Sequence, residues 1–412
     1  MTRRQLLKMA LAAPTGAWLS RFEAYAAPAV GKYKITGIKA LTLKDGITLV
    51  RIDTDAGITG YGPCGGTGGG SGPTAREFIS ALHTARLPQL GLIGKDPLAI
   101  QVHFHSMFYA YPQRWRATRI FSGIDVALWD LAGKILGVPV SRLLGGPFRN
   151  EIPLYSHSSL QDCFNKEAWR AMAEKNRSDP GGFKAFKIDI HFPLRSAMQQ
   201  VIPSIGPRQV RDVALCYSLA REAFGSEIDI IVHCHSELDL ASSIRVAEAV
   251  EPIKPLYFED PLPPAYSDSW MALRRSTRLP LMTGEVLEMV EGFMPFIQNQ
   301  AVDCLQPDLR YCGGISGANR IADLAAAYHI PICLHNVNGY ALNLASQQWS
   351  AAHFNCPMME CRRDAAHAPE AAANVPVVMD GKMKVHDAPG LGIEFDHDYL
   401  KANLAPGEPW WG

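Results

Sequence analysis

Beyond residue 150, short apolar runs alternate with longer segments of helical periodicity. Such alternation is typical of βαβ units, in which helices join parallel strands. Eight runs in succession are close to the number that closes a sheet into a (β/α)8 barrel, whose chemistry lies at the C-terminal ends of the strands. The runs are Ile152–Tyr155, Ala185–Ile190, Ile228–Val232, Leu256–Phe258, Leu279–Met282, Cys304–Gln306, Ile332–Leu334 and Met358–Glu360. The sequence therefore predicts an α/β barrel domain over residues 151–375.

A smaller unit precedes this barrel. The segment from Lys32 to Gly62 alternates apolar and polar residues, which predicts strands, and helical periodicity runs from about Thr74 to Leu144. Between them, Cys64–Pro73 holds six glycines in ten residues. The segment lacks the GxxxxGK[ST] motif, which excludes a phosphate-binding loop. We expect its glycines to form a mobile lid over a site, with an ordinary surface loop as the alternative.

Ionisable residues follow seven of the predicted strands. Glu259 lies 26 residues after His233, and Glu285 lies 26 residues after Glu259, so one βα unit separates each pair. Any single residue of this kind could be a solvated loop charge. Carboxylates that converge on one barrel mouth repel each other, however, and need a cation. We therefore predict that His233, Glu259 and Glu285 bind a metal ion. In chain order the residues are Lys187, Asp189, His233, His235, Glu259, Asp260, Glu285, Asp308, His335 and Glu360.

Composition excludes several classes of protein. The 40 Lys and Arg residues balance the 40 Asp and Glu residues, so no basic field is present to attract nucleic acid or an anionic membrane. Nine cysteines without a CxxC pair indicate neither a disulfide scaffold nor a zinc ribbon, and we expect most of them to be buried thiols.

The N-terminus has the three parts of an export signal in order. Arg3, Arg4 and Lys8 precede a short apolar stretch from Met9 to Leu19, and Ala24-Tyr25-Ala26 forms a small-x-small cleavage site. The apolar stretch is too short to span a bilayer, which needs about 20 residues. The paired arginines resemble a twin-arginine signal. We therefore predict that residues 1–26 direct export to the periplasm, with a chance arginine pair as the alternative.

Several longer motifs resemble those of the enolase superfamily, in its mandelate racemase/muconate-lactonizing subgroup. The similarity extends from about residue 32 to residue 412. It implies a modified barrel, (β/α)7β, with an α+β capping domain formed by residues 27–150 and completed by residues 376–412. It also implies a Mg²⁺ site and removal of the proton α to a substrate carboxylate. The motifs are Ile124-Asp-Val-Ala-Leu-Trp-Asp-Leu-Ala-Gly-Lys, Phe258-Glu-Asp-Pro-Leu-Pro-Pro, Thr283-Gly-Glu, Gln306-Pro-Asp-Leu-Arg-Tyr-Cys-Gly-Gly-Ile-Ser and Pro389-Gly-Leu-Gly-Ile-Glu.

The same resemblance assigns roles to the strand-end residues. His335 and Asp308 match a dyad in which the carboxylate supports the imidazole as a base. Glu360 matches an acid that hydrogen-bonds a substrate carboxylate oxygen, for which it must be protonated. Lys187 and His235 are further catalytic candidates, since His235 matches the acid that protonates a leaving hydroxyl, and Asp189 is expected to bind substrate.

Two positions depart from the family pattern. Asp189 stands where the family has a second lysine, a base on the opposite face of the substrate. Its loss disfavours racemisation but allows β-elimination. His233 stands where the family has an aspartate ligand, so the site either prefers a softer ion such as Mn²⁺, Fe²⁺ or Zn²⁺ or binds metal poorly. His233 as a packed or repurposed histidine remains the alternative.

The pattern is closest to acid-sugar dehydratases of the gluconate and galactonate type. We therefore predict a metal-dependent lyase that removes water from a sugar acid. The alternatives are an epimerase or cycloisomerase of the same superfamily, or an impaired homologue that binds a carboxylate without turnover. We expect substrate specificity to lie in Cys64–Pro73 and around Arg114 and Trp115. We also expect a homo-oligomer that binds neither nucleic acid nor, in its mature form, a membrane.

Overall fold

A computed structural model describes residues 31–64, 74–84, 91–110, 117–362 and 367–412, apart from positions 199, 203 and 338. The predicted export signal therefore lies outside the described residues. So do nearly all of the Cys64–Pro73 loop and the specificity residues Arg114 and Trp115. None of the described helices is both long enough and apolar enough to cross a membrane.

The N-terminal part is a three-stranded antiparallel sheet covered by helices. Strands β1 to β3 pair in chain order. Helix α3 packs directly on β3, because Gly60 and Gly62 have no side chain there and a Cβ atom at either position would overlap the α3 backbone. The elements are β1 (Ile35–Thr42), β2 (Thr48–Thr54), β3 (Thr59–Cys64), α1 (Ala75–Thr84), α2 (Ile100–Phe108), α3 (Thr118–Leu136) and α4 (Val140–Leu143).

Eight parallel strands form the second part. They pair in chain order from β4 to β9, β11 pairs with β4 on its other side, and β10 pairs with β11. A parallel bridge between Leu305 and Ile332 joins β9 to the start of β10 and closes the barrel. Each of the eight predicted runs overlaps one of these strands, so this prediction is confirmed. The strands are β4 (Glu151–His157), β5 (Ala185–Asp189), β6 (Asp229–His233), β7 (Tyr257–Glu259), β8 (Leu281–Thr283), β9 (Cys304–Leu305), β10 (Cys333–Leu334) and β11 (Met358–Glu360).

The first seven barrel strands are each followed by at least one helix. In the described residues β11 is followed by the C-terminal tail instead, which is the expected (β/α)7β arrangement. The helices are α5 (Lys166–Ser178), α6 (His191–Leu194), α7 (Pro207–Phe224), α8 (Leu240–Val250), α9 (Asp268–Ser276), α10 (Met289–Gln298), α11 (Gly314–Ala327) and α12 (Gly339–Ala352), with a 3-10 turn at Glu251–Ile253.

The tail contacts both parts of the molecule. Its hairpin, β12 (Val378–Met379) and β13 (Lys382–Lys384), pairs antiparallel with β4 and so extends the barrel sheet. Beyond α13 (His397–Ala402), Leu404 bridges to Leu43 at the end of β1. Along the chain, residues 376–412 therefore contact the barrel first and the N-terminal sheet afterwards.

The barrel is apolar at its centre and ionisable at its mouth. A small interior cluster packs Tyr155 with side chains from β5, β6, β8, β9 and β10. Above it, at the carboxyl ends of the strands, the side chains are charged. All nine cysteines are buried reduced thiols, as expected for the chain.

Candidate active site at the barrel mouth

Ionisable side chains from neighbouring strands meet at the carboxyl end of the barrel. In the strand register Asp189 lies beside His233, and His233 lies beside Glu259, so these three side chains stand at one height. They are almost fully buried, with exposed fractions of 2% or less. The predicted strand-end residues are thus neighbours in space, as parallel pairing requires.

Lys187 is the cation at the centre of this group. Its Nζ atom lies 2.9 Å from Glu259 Oε1, 3.2 Å from Glu360 Oε1 and 3.8 Å from Glu285 Oε2. Burial alone would lower the pKa of Lys187, but the carboxylates of Glu259, Glu360 and Glu285 raise it above its ordinary value. The lysine is therefore a fixed ammonium that partly neutralises three carboxylates.

Glu360 differs from the protonated acid that the resemblance implies. Burial favours its neutral form, but the Lys187 ammonium and His335 lower its pKa below the ordinary value. The backbone N–H of Asn336 also donates to Glu360 Oε2 at 3.5 Å. The physical reason is the ammonium at 3.2 Å, which stabilises the carboxylate form.

His335 and Asp308 form a hydrogen-bonded dyad. His335 Nδ1 lies 2.7 Å from Asp308 Oδ2, which leaves Nε2 to face Glu285 Oε2 at 3.4 Å and Glu360 Oε2 at 3.8 Å. Burial would lower the pKa of His335, but Glu285, Asp308 and Glu360 raise it. Arg310 donates to both carboxylate oxygens of Asp308 and, against the cost of burial, lowers its pKa. Asp308 is therefore held ionised as the acceptor for His335 Nδ1.

Asp189 connects two histidines. Its Oδ1 atom lies 2.8 Å from His233 Nδ1, and its Oδ2 atom lies 2.6 Å from His157 Nε2 and accepts a hydrogen bond from Ser159 at 3.0 Å. Burial opposes the charged form, but the hydrogen bonds from His157 and His233 hold the pKa of Asp189 below its usual range. Asp189 was expected to bind substrate, and the structure places it 1% exposed between two histidines.

This hydrogen bond sets the tautomer of His233. Burial and the charges of Lys187 and His235 lower the pKa of His233 to about 4, so the imidazole is neutral. An ionised Asp189 can only accept, so Nδ1 carries the hydrogen and Nε2 carries the lone pair. That lone pair lies 3.3 Å from Glu259 Oε1 and 3.8 Å from Glu285 Oε2. Lys187 supplies one positive charge to these two oxygens, but an ammonium has no vacant orbital to offer the His233 nitrogen, so this lone pair remains available to a metal ion.

The donor set fits a divalent metal ion. His233 Nε2 and Glu259 Oε2 are buried and have no hydrogen-bond partner within the described part of the chain. Ligand atoms of His233, His235 and Glu285 lie within 4.8 Å of one another, so His235 also faces this position. A histidine whose other ring N–H donates a hydrogen bond to a carboxylate is the usual form of an imidazole ligand. His233 and Glu285 can therefore hold an ion, and Glu259 or His235 can complete its coordination.

His235 has a carboxylate partner of its own. Its Nδ1 atom lies 3.4 Å from Glu237 Oε1, and its backbone N–H donates to Glu237 Oε2 at 2.9 Å. Burial would lower the pKa of His235, but Glu237, Glu285 and Asp189 raise it. Its ring lies 4.0 Å from the ring of His233, centroid to centroid. The position suits a proton donor next to the expected ion.

Three residues of the site were not identified from the sequence. Arg310 and Glu237 each follow a predicted site residue by two positions, and each binds that residue. His157 ends the first barrel strand and lies beside Lys187 in the register. Extending the strand-end rule to the first run would have identified His157, whereas the bonds made by Arg310 and Glu237 follow from loop conformation.

Comparison with known families agrees with this geometry. Residues 168–399 match the family described as enolase C-terminal domain-like, and residues 39–145 match the mandelate racemase/muconate lactonizing enzyme N-terminal domain. The chain belongs to the mandelate racemase/muconate lactonizing enzyme family of the enolase superfamily. The expected family, barrel and capping arrangement are thereby confirmed.

Relatives within this family carry related names. The chain is 28% identical to the D-xylonate dehydratase of Haloferax volcanii, over 87% of this chain and 86% of the relative. It is 28% identical to the D-mannonate dehydratase of a Sphingomonas species, over 85% and 89% of the two chains. The solved structure of the 3,6-anhydro-D-galactonate cycloisomerase from Zobellia galactanivorans superimposes on this chain with a TM-score of 0.77 at 25% identity. The match covers 90% of this chain and 99% of the cycloisomerase.

Proposed function

We propose that this protein is a metal-dependent hydro-lyase that removes the proton α to the carboxylate of a sugar acid and eliminates water. The observation that carries the proposal is the His335–Asp308 dyad. The Nε2 atom of His335 faces Glu285, a carboxylate of the expected metal position. The dehydratase names of the relatives support the same reaction and the same substrate class.

Proton removal is assigned to His335. Nδ1 is bound to Asp308, so the imidazole can accept a proton only at Nε2, and the Asp308 carboxylate stabilises the resulting imidazolium. Arg310 keeps Asp308 ionised and fixes its orientation. Neutral His335 is the reactive form of this base.

The metal ion would be held by His233 and Glu285, with Glu259 or His235 completing the set. When bound, it supplies the positive charge that stabilises the negative charge developing on the substrate carboxylate. An imidazole ligand favours ions later in the Irving–Williams order, so we propose Mn²⁺, Fe²⁺ or Zn²⁺ ahead of Mg²⁺. Lys187 adds a second, fixed positive charge to the same pocket.

Departure of the hydroxyl is assigned to His235. The Glu237 carboxylate favours its protonated form, so His235 can donate a proton to the leaving oxygen. A base and an acid that follow separate strands, β10 and β6, allow the proton and the hydroxyl to leave from different positions on the sugar chain. A cycloisomerase is the second candidate, favoured by the likeness to the Zobellia enzyme.

A panel of sugar acids, incubated with the protein and either Mg²⁺ or Mn²⁺, tests the proposal through formation of 2-keto acids. In ²H₂O the α-proton of an active substrate should exchange with solvent. The His335→Asn variant should lose turnover by about 10²-fold or more while ligand binding is kept, as expected when a general base is removed. Exchange at the wild-type rate in that variant would place the base elsewhere, with Lys187 as the next candidate.

We further propose that the protein is exported by the twin-arginine pathway and acts in the periplasm as a homo-oligomer. The arginine pair, the apolar stretch and the Ala24-Tyr25-Ala26 site support export. Replacing both Arg3 and Arg4 by lysine should leave uncleaved precursor in the cytoplasm. Periplasmic accumulation of that variant would contradict the assignment, and light scattering after gel filtration measures the oligomeric state.

A further inference from the structure

A second group of possible metal ligands lies beside the first. Asp189, His191 and His235 each place a ligand atom within 4.8 Å of the other two. Asp189 ends β5, His191 begins α6, and His235 follows β6, so neighbouring βα loops bring them together. Asp189 is 1% and His191 is 7% exposed.

His191 provides the independent sign of a ligand. Its Nδ1 atom is buried and has no hydrogen-bond partner among the described residues. A buried nitrogen without a partner costs free energy, so such groups are rare unless water or an ion satisfies them. The ring packs 4.1 Å from the ring of Phe192, centroid to centroid, which supplies no polar contact.

Asp189 has coordination capacity left. Its Oδ2 atom accepts from His157 and Ser159, whereas Oδ1 accepts from His233 within the described chain. Each carboxylate oxygen has two lone pairs, so Oδ1 retains one. Glu237, whose Oε1 atom lies 3.4 Å from His235 Nδ1, adds a second buried negative charge beside the group. The two buried carboxylates of Asp189 and Glu237 carry the charge that complements a dication.

We propose that Asp189, His191 and His235 bind a second divalent cation, of the class represented by Zn²⁺, next to the ion expected at His233 and Glu285. Two imidazoles and one carboxylate suit Zn²⁺, whereas Mg²⁺ prefers oxygen ligands and retains its water. His235 faces both positions, so it is the residue through which the two sites communicate.

One consequence rests on the proposed function. A histidine that coordinates a metal through its lone pair cannot donate a proton from that nitrogen, so occupancy of the second site withdraws His235 from protonation of the leaving group. Excess Zn²⁺ should therefore inhibit the Mn²⁺-loaded enzyme. Unchanged turnover in excess Zn²⁺ would overturn this consequence, whereas the site itself is decided by the metal content of the substrate-free protein.

Metal content of the whole protein, dialysed against buffered Zn²⁺, tests the site directly. We expect two Zn²⁺ per wild-type chain and one in His191→Asn. The control His353→Asn should keep two, because the ring of His353 belongs to neither ligand group and lies 2.8 Å from the backbone carbonyl oxygen of Trp349. One ion in the wild type, or equal content in the wild type and His191→Asn, would overturn the proposal.

A gain-of-signal variant guards against misfolding of His191→Asn. In Co²⁺-loaded His191→Cys, direct coordination should produce a thiolate-to-cobalt charge-transfer band that wild-type protein lacks. Absence of the band in folded His191→Cys, verified by circular dichroism, would also overturn the proposal.

Discussion

Asp130 is a buried carboxylate that joins three segments distant in the sequence. It is fully buried on α3 and accepts hydrogen bonds from the backbone N–H of Tyr61 in β3 at 2.9 Å and of Leu391 in the tail at 2.7 Å. Lys134, one turn later on α3, donates to it at 2.6 Å. Replacing Asp130 by alanine removes the acceptor of all three donors at once.

The expected cost follows from these contacts. Each buried N–H left without an acceptor costs about 1–3 kcal/mol. Removing one partner of a buried ion pair costs about 3–5 kcal/mol. Two terms reduce the sum: burial raises the pKa of Asp130, so its removal recovers a desolvation cost, and Lys134 still donates to the carbonyl oxygens of Thr59 and Ile393. We therefore expect Asp130→Ala to lower the free energy of unfolding by about 3 kcal/mol.

Urea unfolding followed by circular dichroism measures this change, and limited proteolysis shows whether the tail detaches first. Asp323→Ala on the exposed side of α11 is the matched control, with an expected change within about 0.5 kcal/mol. A loss below about 1 kcal/mol in Asp130→Ala, with an undisturbed tail, would refute the idea that this carboxylate joins the tail to the N-terminal part.

Other substitutions test the metal position and the packing of the capping sheet. Glu259→Gln and Glu285→Gln should each weaken metal binding and activity together, as calorimetric titration and turnover would show; tight binding in both variants would contradict the ligand set. His233→Asp should shift the preferred ion toward Mg²⁺ because a carboxylate replaces an imidazole, and an unchanged metal profile would show that the imidazole is not a ligand. Gly60→Ala should lower the free energy of unfolding in urea by about 1–3 kcal/mol, since its Cβ would overlap the α3 backbone. The control Gly292→Ala in α10 meets only ordinary contacts and should not destabilise the protein. Equal stability of the two variants would refute the close approach of α3 to β3.

The course of the chain could be predicted from the sequence because its signals are local. Apolar runs locate the barrel strands, with steps of about 26 residues from the third run onward, and the residues at or just after the end of a run face the mouth. The neighbourhood of His335 and Asp308 follows directly, since consecutive parallel strands place their ends side by side. The same regularity brings His233, Glu259 and Glu285 to one pocket before any coordinate is known.

The partners of each side chain were decided only by the tertiary structure. Asp189 was expected to bind substrate from its strand-end position, a prediction that stays untested, whereas its partners His233 and His157 follow from the register with β6 and the end of β4. Glu360 was expected to be protonated, but Lys187 lies 3.2 Å away and holds it as a carboxylate. Protonation and hydrogen bonding depend on distances between atoms far apart in the chain and on their burial. Neither quantity is contained in periodicity, so the sequence identifies the participants of the site and the fold determines what each one contacts.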